Sequence, residues 1–218
     1  TWVDGIEGWY HDSATNRNVL RLMGQEVNDQ SLKPECNHLL CHFVSSNLSE
    51  SAANPQKLID TATARGGLTF LAHPIEKPGY AEAKTMYPWI SWDISGYTGI
   101  ELWNAMSDAK WGMRTFPRAM LGAYLPNWVW HAPFLETLAK WDELLANGHK
   151  VVAIGNSDAH AWPITWRMLT RVRFPYDFNF RTINTHLLMN QPLTTEFGQA
   201  RQPVYRPTDN GNCLVRTH

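Results

Sequence analysis

Lys150-Val151-Val152-Ala153-Ile154-Gly155-Asn156-Ser157-Asp158-Ala159-His160 is the stretch on which the reading of this chain turns. Its centre, Val151 to Ile154, is a short apolar run rich in β-branched residues, which predicts a buried strand. Gly155 ends that run, so the strand delivers Asp158 and His160 at its C-terminal end. Two residues apart in a strict strand, they would face the same side only while the extended conformation lasts. Where the chain leaves regular structure, both can turn into one site.

Upstream, the same alternation repeats. Pro133 begins a helix on which Phe134, Leu138, Trp141 and Leu145 share a face, and Gly148 comes after its last turn. Gly99-Ile100-Glu101-Leu102-Trp103-Asn104 predicts a strand, as does Gly67 to His73, closed by Pro74. Asn54 and Pro55 open a helix as N-cap and first helical residue; Leu58, Ile59 and Ala62 form its apolar face and Gly66 stops it. His38 to Val44 is a short apolar strand. Val19 to Met23 runs into Gly24-Gln25-Glu26-Val27, predicting a buried strand with Glu26 near its end. Strands separated by helices predict an α/β fold, either a parallel sheet or a βα barrel.

The chain reads as a single domain over 1–218, with an insertion at 76–132 over the active-site rim and a C-terminal extension at 176–218, cut short. The insertion holds Trp89, Trp92, Trp103, Trp111, Trp128 and Trp130 of the 11 tryptophans. These rings either wall a pocket or staple the insertion to the body. A formal net charge of −1, with basic residues scattered, favours neither nucleic acid nor an anionic membrane as partner. No apolar run is long enough to span a bilayer. The three cysteines, Cys36, Cys41 and Cys213, are odd in number and lack CxxC spacing, which argues against a disulfide framework and a thiolate zinc site. Thr1 is not an initiator methionine and no signal peptide is visible, so the chain is expected to be cut at both ends and no compartment is assigned.

Polar residues recur where strands end: Glu26, His73, Asn104, Asp158 and His160. In βα barrels those ends carry the chemistry. Imidazole and carboxylate together suit zinc, iron or manganese, and a carboxylate buried at a strand end needs a partner that a metal can be. Any one histidine of this set is more often a hydrogen-bonded core or surface residue; their convergence points to a metal. Asn104 is placed to orient a substrate, while its neighbour Glu101 reads as packing. Arg114, Arg118, Arg167 and Arg181 have the guanidinium geometry of a phosphate clamp, though each alone reads as a surface residue. There is no P-loop and no GxSxG elbow.

In order, Gly24-Gln25-Glu26-Val27, His38-Leu39-Leu40, Leu71-Ala72-His73-Pro74, Gly99 to Asn104, and Asn156 to His160 resemble the motifs of the PHP (polymerase and histidinol phosphatase) family. That family consists of metal-dependent phosphoesterases on a distorted seven-stranded βα barrel. The resemblance runs from about Gly24 to His160. The Trp-rich insertion, the Phe134-to-Gly148 helix and the segment Phe180 to Leu188 resemble the branch of carbaryl-hydrolase-like metallohydrolases.

The resemblance implies up to three divalent metals, zinc, manganese or iron. Glu26 would bridge two of them, and His38 and His73 would complete one shell. Asp158 would ligate the metal shared with Glu26, and His160 the third. His42 rivals His38, which is preferred because it stands at the strand start. The family's opening His-x-His strand and later Asp-His pair are absent, and Thr1-Trp2-Val3-Asp4-Gly5 resembles the family's residues directly after that pair. A barrel incomplete at its N-terminal strands, holding fewer metals, is therefore implied. The implied activity is hydrolysis of a small-molecule phosphoester by a metal-bridging hydroxide, with no general acid singled out. A carbamate, ester or amide hydrolase on the same site and a non-catalytic PHP-like module are the alternatives.

Overall fold

The computed structural model describes residues 7–80, 85–166, 169–209 and 212–217. β1 (Gly8–Asp12) and β2 (Arg17–Arg21) form a hairpin, and after it come β3 (Gly24–Val27), β4 (Leu39–His42), α1 (Pro55–Ala64), β5 (Leu68–Leu71) and β6 (Gly99–Asn104). Next are α2 (Ala105–Gly112), α3 (Phe116–Tyr124), α4 (Leu135–Ala146) and β7 (Val152–Asn156). The chain ends with the hairpin β8 (Trp162–Trp166) and β9 (Leu169–Arg173), then α5 (Tyr176–Asn179), β10 (Ile183–Leu187), α6 (Phe197–Asp209) and β11 (Cys213–Thr217), which returns to pair with β10. None of these helices is long and apolar enough to cross a membrane.

The body is an open five-stranded sheet in the order β3-β4-β5-β6-β7. An all-parallel sheet is one expectation from the sequence, and it holds for β5, β6 and β7 alone; β4 runs antiparallel to both neighbours. Hydrophobic periodicity fixes which face of a strand is buried and carries no information on pairing direction. The expected continuous strand from Val19 through Val27 is also broken. Arg17–Arg21 turns outward into the first hairpin, and only Gly24–Val27 enters the sheet. β6, the strand predicted within 76–132, takes the fourth place in this sheet.

Residues opposite one another in the ladder share a face, and successive residues alternate. One face carries Leu39, Cys41, Leu71 and Ile100, covered by Leu58, Ile59 and Ala62 of α1 and Leu144 of α4. Burial of Leu58 or Ile59 stabilises the fold by about 1.5–3 kcal/mol each. Asn54 caps α1 by accepting the Lys57 backbone N–H at 3.0 Å. On α4 the buried residues are Thr137 and Leu144, with Trp141 packed between them, while Leu145 is 42% exposed. The inward stripe thus keeps Trp141 of the predicted Phe134-Leu138-Trp141-Leu145 face, with Thr137 and Leu144 the buried residues on either side of it. The opposite face of the sheet carries Leu40, Phe70 and Ile154, packed with Val204 and Tyr205 of α6. There β10 and β11 close over β7: a Cβ on Gly155 would lie 2.2 Å from Val215 Cγ1 and 2.8 Å from Ile183 Cγ2, so only glycine permits the approach.

The register places the end of β3, the start of β4 and the ends of β5, β6 and β7 at one edge of the sheet. Glu26, His38, His73, Asn104 and Asp158 gather there.

Candidate metal centre

Glu26 lies opposite Leu40, two residues along from His38, which directly precedes β4. Its Oε1 lies 2.6 Å from His38 Nδ1 and 3.4 Å from His73 Nε2. One donor atom from each of Glu26, His38 and His73 falls within 4.8 Å of the others, and the two imidazoles meet edge to face with centroids 5.0 Å apart. A carboxylate and two imidazoles form a donor set suited to a divalent transition metal. His38 Nε2 is buried and has no hydrogen-bond partner among the described residues. A buried nitrogen in that state fits a site that binds something more than its own side chains.

His73 comes after β5 with its backbone in the left-handed region, φ 27°, which a non-glycine residue rarely occupies. Two contacts hold it there. Its backbone N–H donates to Glu101 Oε2 at 2.6 Å, and its Nδ1–H donates to the Tyr87 carbonyl at 3.2 Å. The second contact keeps a proton on Nδ1 and turns Nε2 toward Glu26, the outer arrangement that metal-ligating histidines use.

Asp158 and His160 form a second group beside the first. Asp158 is also left-handed, φ 44°, with its N–H donated to Asn156 Oδ1 at 2.7 Å in a tight turn. His160 Nδ1 lies 3.2 Å from Asp158 Oδ1 and 2.8 Å from the Asp158 carbonyl. Neither residue is within the close Glu26–His38–His73 group. Asn104 links the two groups: its Nδ2 donates to Glu101 Oε2 at 3.0 Å and Asp158 Oδ2 at 3.2 Å. Its Oδ1 accepts the Ser107 N–H at 2.7 Å as the N-cap of α2. The amide of Asn104, the residue read as a substrate orienter, thus hydrogen-bonds Glu101, Asp158 and the Ser107 backbone.

The electrostatics are those of a concentrated carboxylate–imidazole cluster. Burial opposes charge on Glu26, yet the bonds from His38 and His73 outweigh it and hold the carboxyl well below its usual range. Burial likewise opposes charge on His73, but Glu26, and after it Glu101, Glu76 and Asp158, lifts it to about 9. His160 is raised to about 9, chiefly by its bond to Asp158. Glu101 is pushed up to about 8 by burial. A divalent cation competes with these protons for the same lone pairs.

Glu101 is the residue whose role the sequence conceals. It lies within an apolar strand, is 1% exposed, and lines a cavity of about 10 Å³ with His73, Asn104 and Ser107. Only the spacing Glu101-x-x-Asn104 at a strand end marks it. The arginines do not form a clamp among the described residues: Arg114 stacks on Trp111 at 4.3 Å and donates to its carbonyl, while Arg118 and Arg181 are exposed. Arg167 lies outside the described residues. The tryptophans divide. Trp89 is buried and Trp92 packs on the core, whereas Trp128 is 69% exposed.

No family model and no curated protein matches this sequence. Among solved structures the chain is similar to a two-domain protein of Bacteroides vulgatus that contains a predicted PHP-like metal-dependent phosphoesterase, at 14% identity and a TM-score of 0.43. The similarity covers 90% of this chain and 44% of that one, so the chain spans less than half of that protein's length.

Proposed function

We propose that the chain is a metal-dependent hydrolase of small-molecule phosphoesters, its open sheet forming part of a PHP-type βα barrel. The observation that carries this reading is the convergence of Glu26, His38 and His73, with Nε2 of His73 turned inward by the Tyr87 carbonyl. In this reading Glu26, His38 and His73 hold one divalent cation, zinc, manganese or iron, and Asp158 and His160 extend the donor set toward further ones. A cation bound there supplies Lewis acidity, lowering the pKa of a water and polarising the phosphoryl oxygen. Asn104 holds Asp158 in place through its amide, and Glu101 holds His73 through the backbone N–H. The ordered PHP-like motifs support the phosphoester assignment.

A second reading keeps the site and changes the bond to a carbamate, ester or amide. It is supported by the engagement of Arg114 with Trp111, which leaves that guanidinium stacked on an indole. The likeness of the Trp-rich stretch to carbaryl-hydrolase-like enzymes favours it as well. The test is a substrate panel on protein reconstituted with zinc, manganese or iron: p-nitrophenyl phosphate, bis(p-nitrophenyl) phosphate and a naphthyl carbamate. Phosphoester turnover that disappears in His73→Ala is expected. Turnover of the carbamate alone overturns the phosphoester reading in favour of the second. Inactivity on all three by metal-replete protein leaves a binding module.

A further inference from the structure

The contact that orients His73 leads to a buried charged pair that is not itself part of the Glu26–His38–His73 group. Glu76 and Lys110 bury their side chains to 5% and 6% exposure, with Lys110 Nζ 3.0 and 2.9 Å from the two carboxylate oxygens. Each partner also grips the segment that carries Tyr87. Glu76 Oε2 accepts the Tyr87 backbone N–H at 2.7 Å, and Lys110 Nζ donates to the Thr85 carbonyl at 2.9 Å. Lys110 Nζ further lies 5.3 Å over the Tyr87 ring, and Ser107 Oγ donates to Glu76 Oε1 at 2.8 Å. Lys110 and Ser107 both stand on α2, which the Asn104 cap fixes to the end of β6.

A buried ion pair costs desolvation that a pair of apolar residues would not, so it is weak support for stability alone. Among the described residues, the remaining hydrogen bonds of the pair fall on the backbone of 85–87 and on Ser107 of α2. We propose that Glu76 and Lys110 are positioning residues of the metal centre: they clamp the 85–87 backbone so that the Tyr87 carbonyl keeps the proton of His73 on Nδ1 and leaves Nε2 for the cation. The clamp rests on the metal-centre reading of Glu26, His38 and His73, and it gives a role to a pair that stands in an irregular stretch of the sequence. Outer partners of ligating histidines are worth about 10–100-fold in metal affinity.

The test compares wild type with Lys110→Met and with the double variant Glu76→Gln/Lys110→Met, which leaves no unpaired buried charge. Two quantities are read on each folded protein: the zinc dissociation constant by competition with a chromophoric chelator, and the His73 Nδ1–H resonance in ¹⁵N-histidine-labelled protein with and without zinc. Both variants are expected to bind zinc about 10–100-fold more weakly and to lose the slowly exchanging Nδ1–H signal. Should Lys110→Met fail to fold, the double variant decides. Ser107→Ala, which removes one bond to Glu76, is expected to weaken zinc only a few-fold. Wild-type zinc affinity together with a retained Nδ1–H signal in the double variant overturns the proposal. If wild type itself binds no zinc, the metal reading fails; the clamp is then judged on the zinc-free Nδ1–H signal alone, and its persistence in the double variant overturns the clamp too.

Discussion

His38 and His42 bracket one four-residue strand and have opposite fates. His38, just before β4, meets the Glu26 carboxylate at 2.6 Å and joins His73. His42, the last residue of β4, packs edge to face on Phe70 and lines an apolar cavity of about 340 Å³ with Phe70, Ile154 and Val204. Burial pushes His42 down to about 4, leaving it neutral. The partner strand makes the difference. In the β3–β4 register Glu26 falls opposite Leu40, within reach of His38, whereas Gly24 falls opposite His42. An imidazole becomes a candidate ligand or a packing group according to what the neighbouring strand offers it.

The most severe way to break this comparison is to remove each imidazole in turn. His38→Ala is expected to lower kcat by about a thousandfold, because the Lewis-acid contribution is several kcal/mol and each 1.4 kcal/mol is about tenfold. His42→Phe is expected to leave kcat within about twofold, since it touches none of the site. Equal losses in the two variants would show that the strand ends do not differ as described.

The next effect is on stability against pH. His42 binds its proton at about 4 when folded and near 6.5 when unfolded, so between those values the unfolded chain holds more protons. Its contribution is therefore complete above pH 6.5 and is lost as the pH falls toward 4, by at most about 3 kcal/mol. Urea denaturation of wild type and His42→Phe at pH 7.5 and pH 4.5 isolates this group, because the other titrations are shared. The stability difference between the two proteins is expected to move in favour of the variant at the lower pH. A difference that stays constant would place His42 in water.

The smallest effect concerns the partner strand. A Cβ on Gly24 would stand 2.9 Å from His42 Nδ1 and 3.3 Å from the Cys41 carbonyl, so the ring must shift. Gly24→Ala is expected to cost about 1 kcal/mol in urea denaturation, the low end for overpacking, with zinc affinity unchanged. A change in zinc affinity would couple the two ends of the strand.

The parts of the molecule legible in the sequence are those fixed by local chemistry. Asn54-Pro55 and the Leu58, Ile59 and Ala62 stripe give α1 with its cap, and the Val151-to-Ile154 run leads to Asp158 and His160 at a strand end. α2 is hidden because seven of its eight residues are buried, leaving no polar face to give a 3.6-residue period. Glu101 is hidden because a carboxylate within Ile100-Glu101-Leu102 has the periodicity of packing, and its partners, the His73 N–H and Asn104 amide, are brought to it by tertiary structure. The Glu76–Lys110 pair spans 34 residues and has no local signature. The antiparallel course of β3, β4 and β5 is concealed for the same reason: pairing direction depends on where the chain returns.

The central claim is that Glu26, His38 and His73 hold a cation, and metal stoichiometry tests it most directly. Wild type and Glu26→Gln, dialysed against the same zinc-containing buffer, are compared by atomic emission. At least one tightly bound divalent ion per wild-type chain, lost in Glu26→Gln while the fold persists by circular dichroism, is the predicted result. Equal metal content in the two folded proteins, or none in wild type, would contradict it.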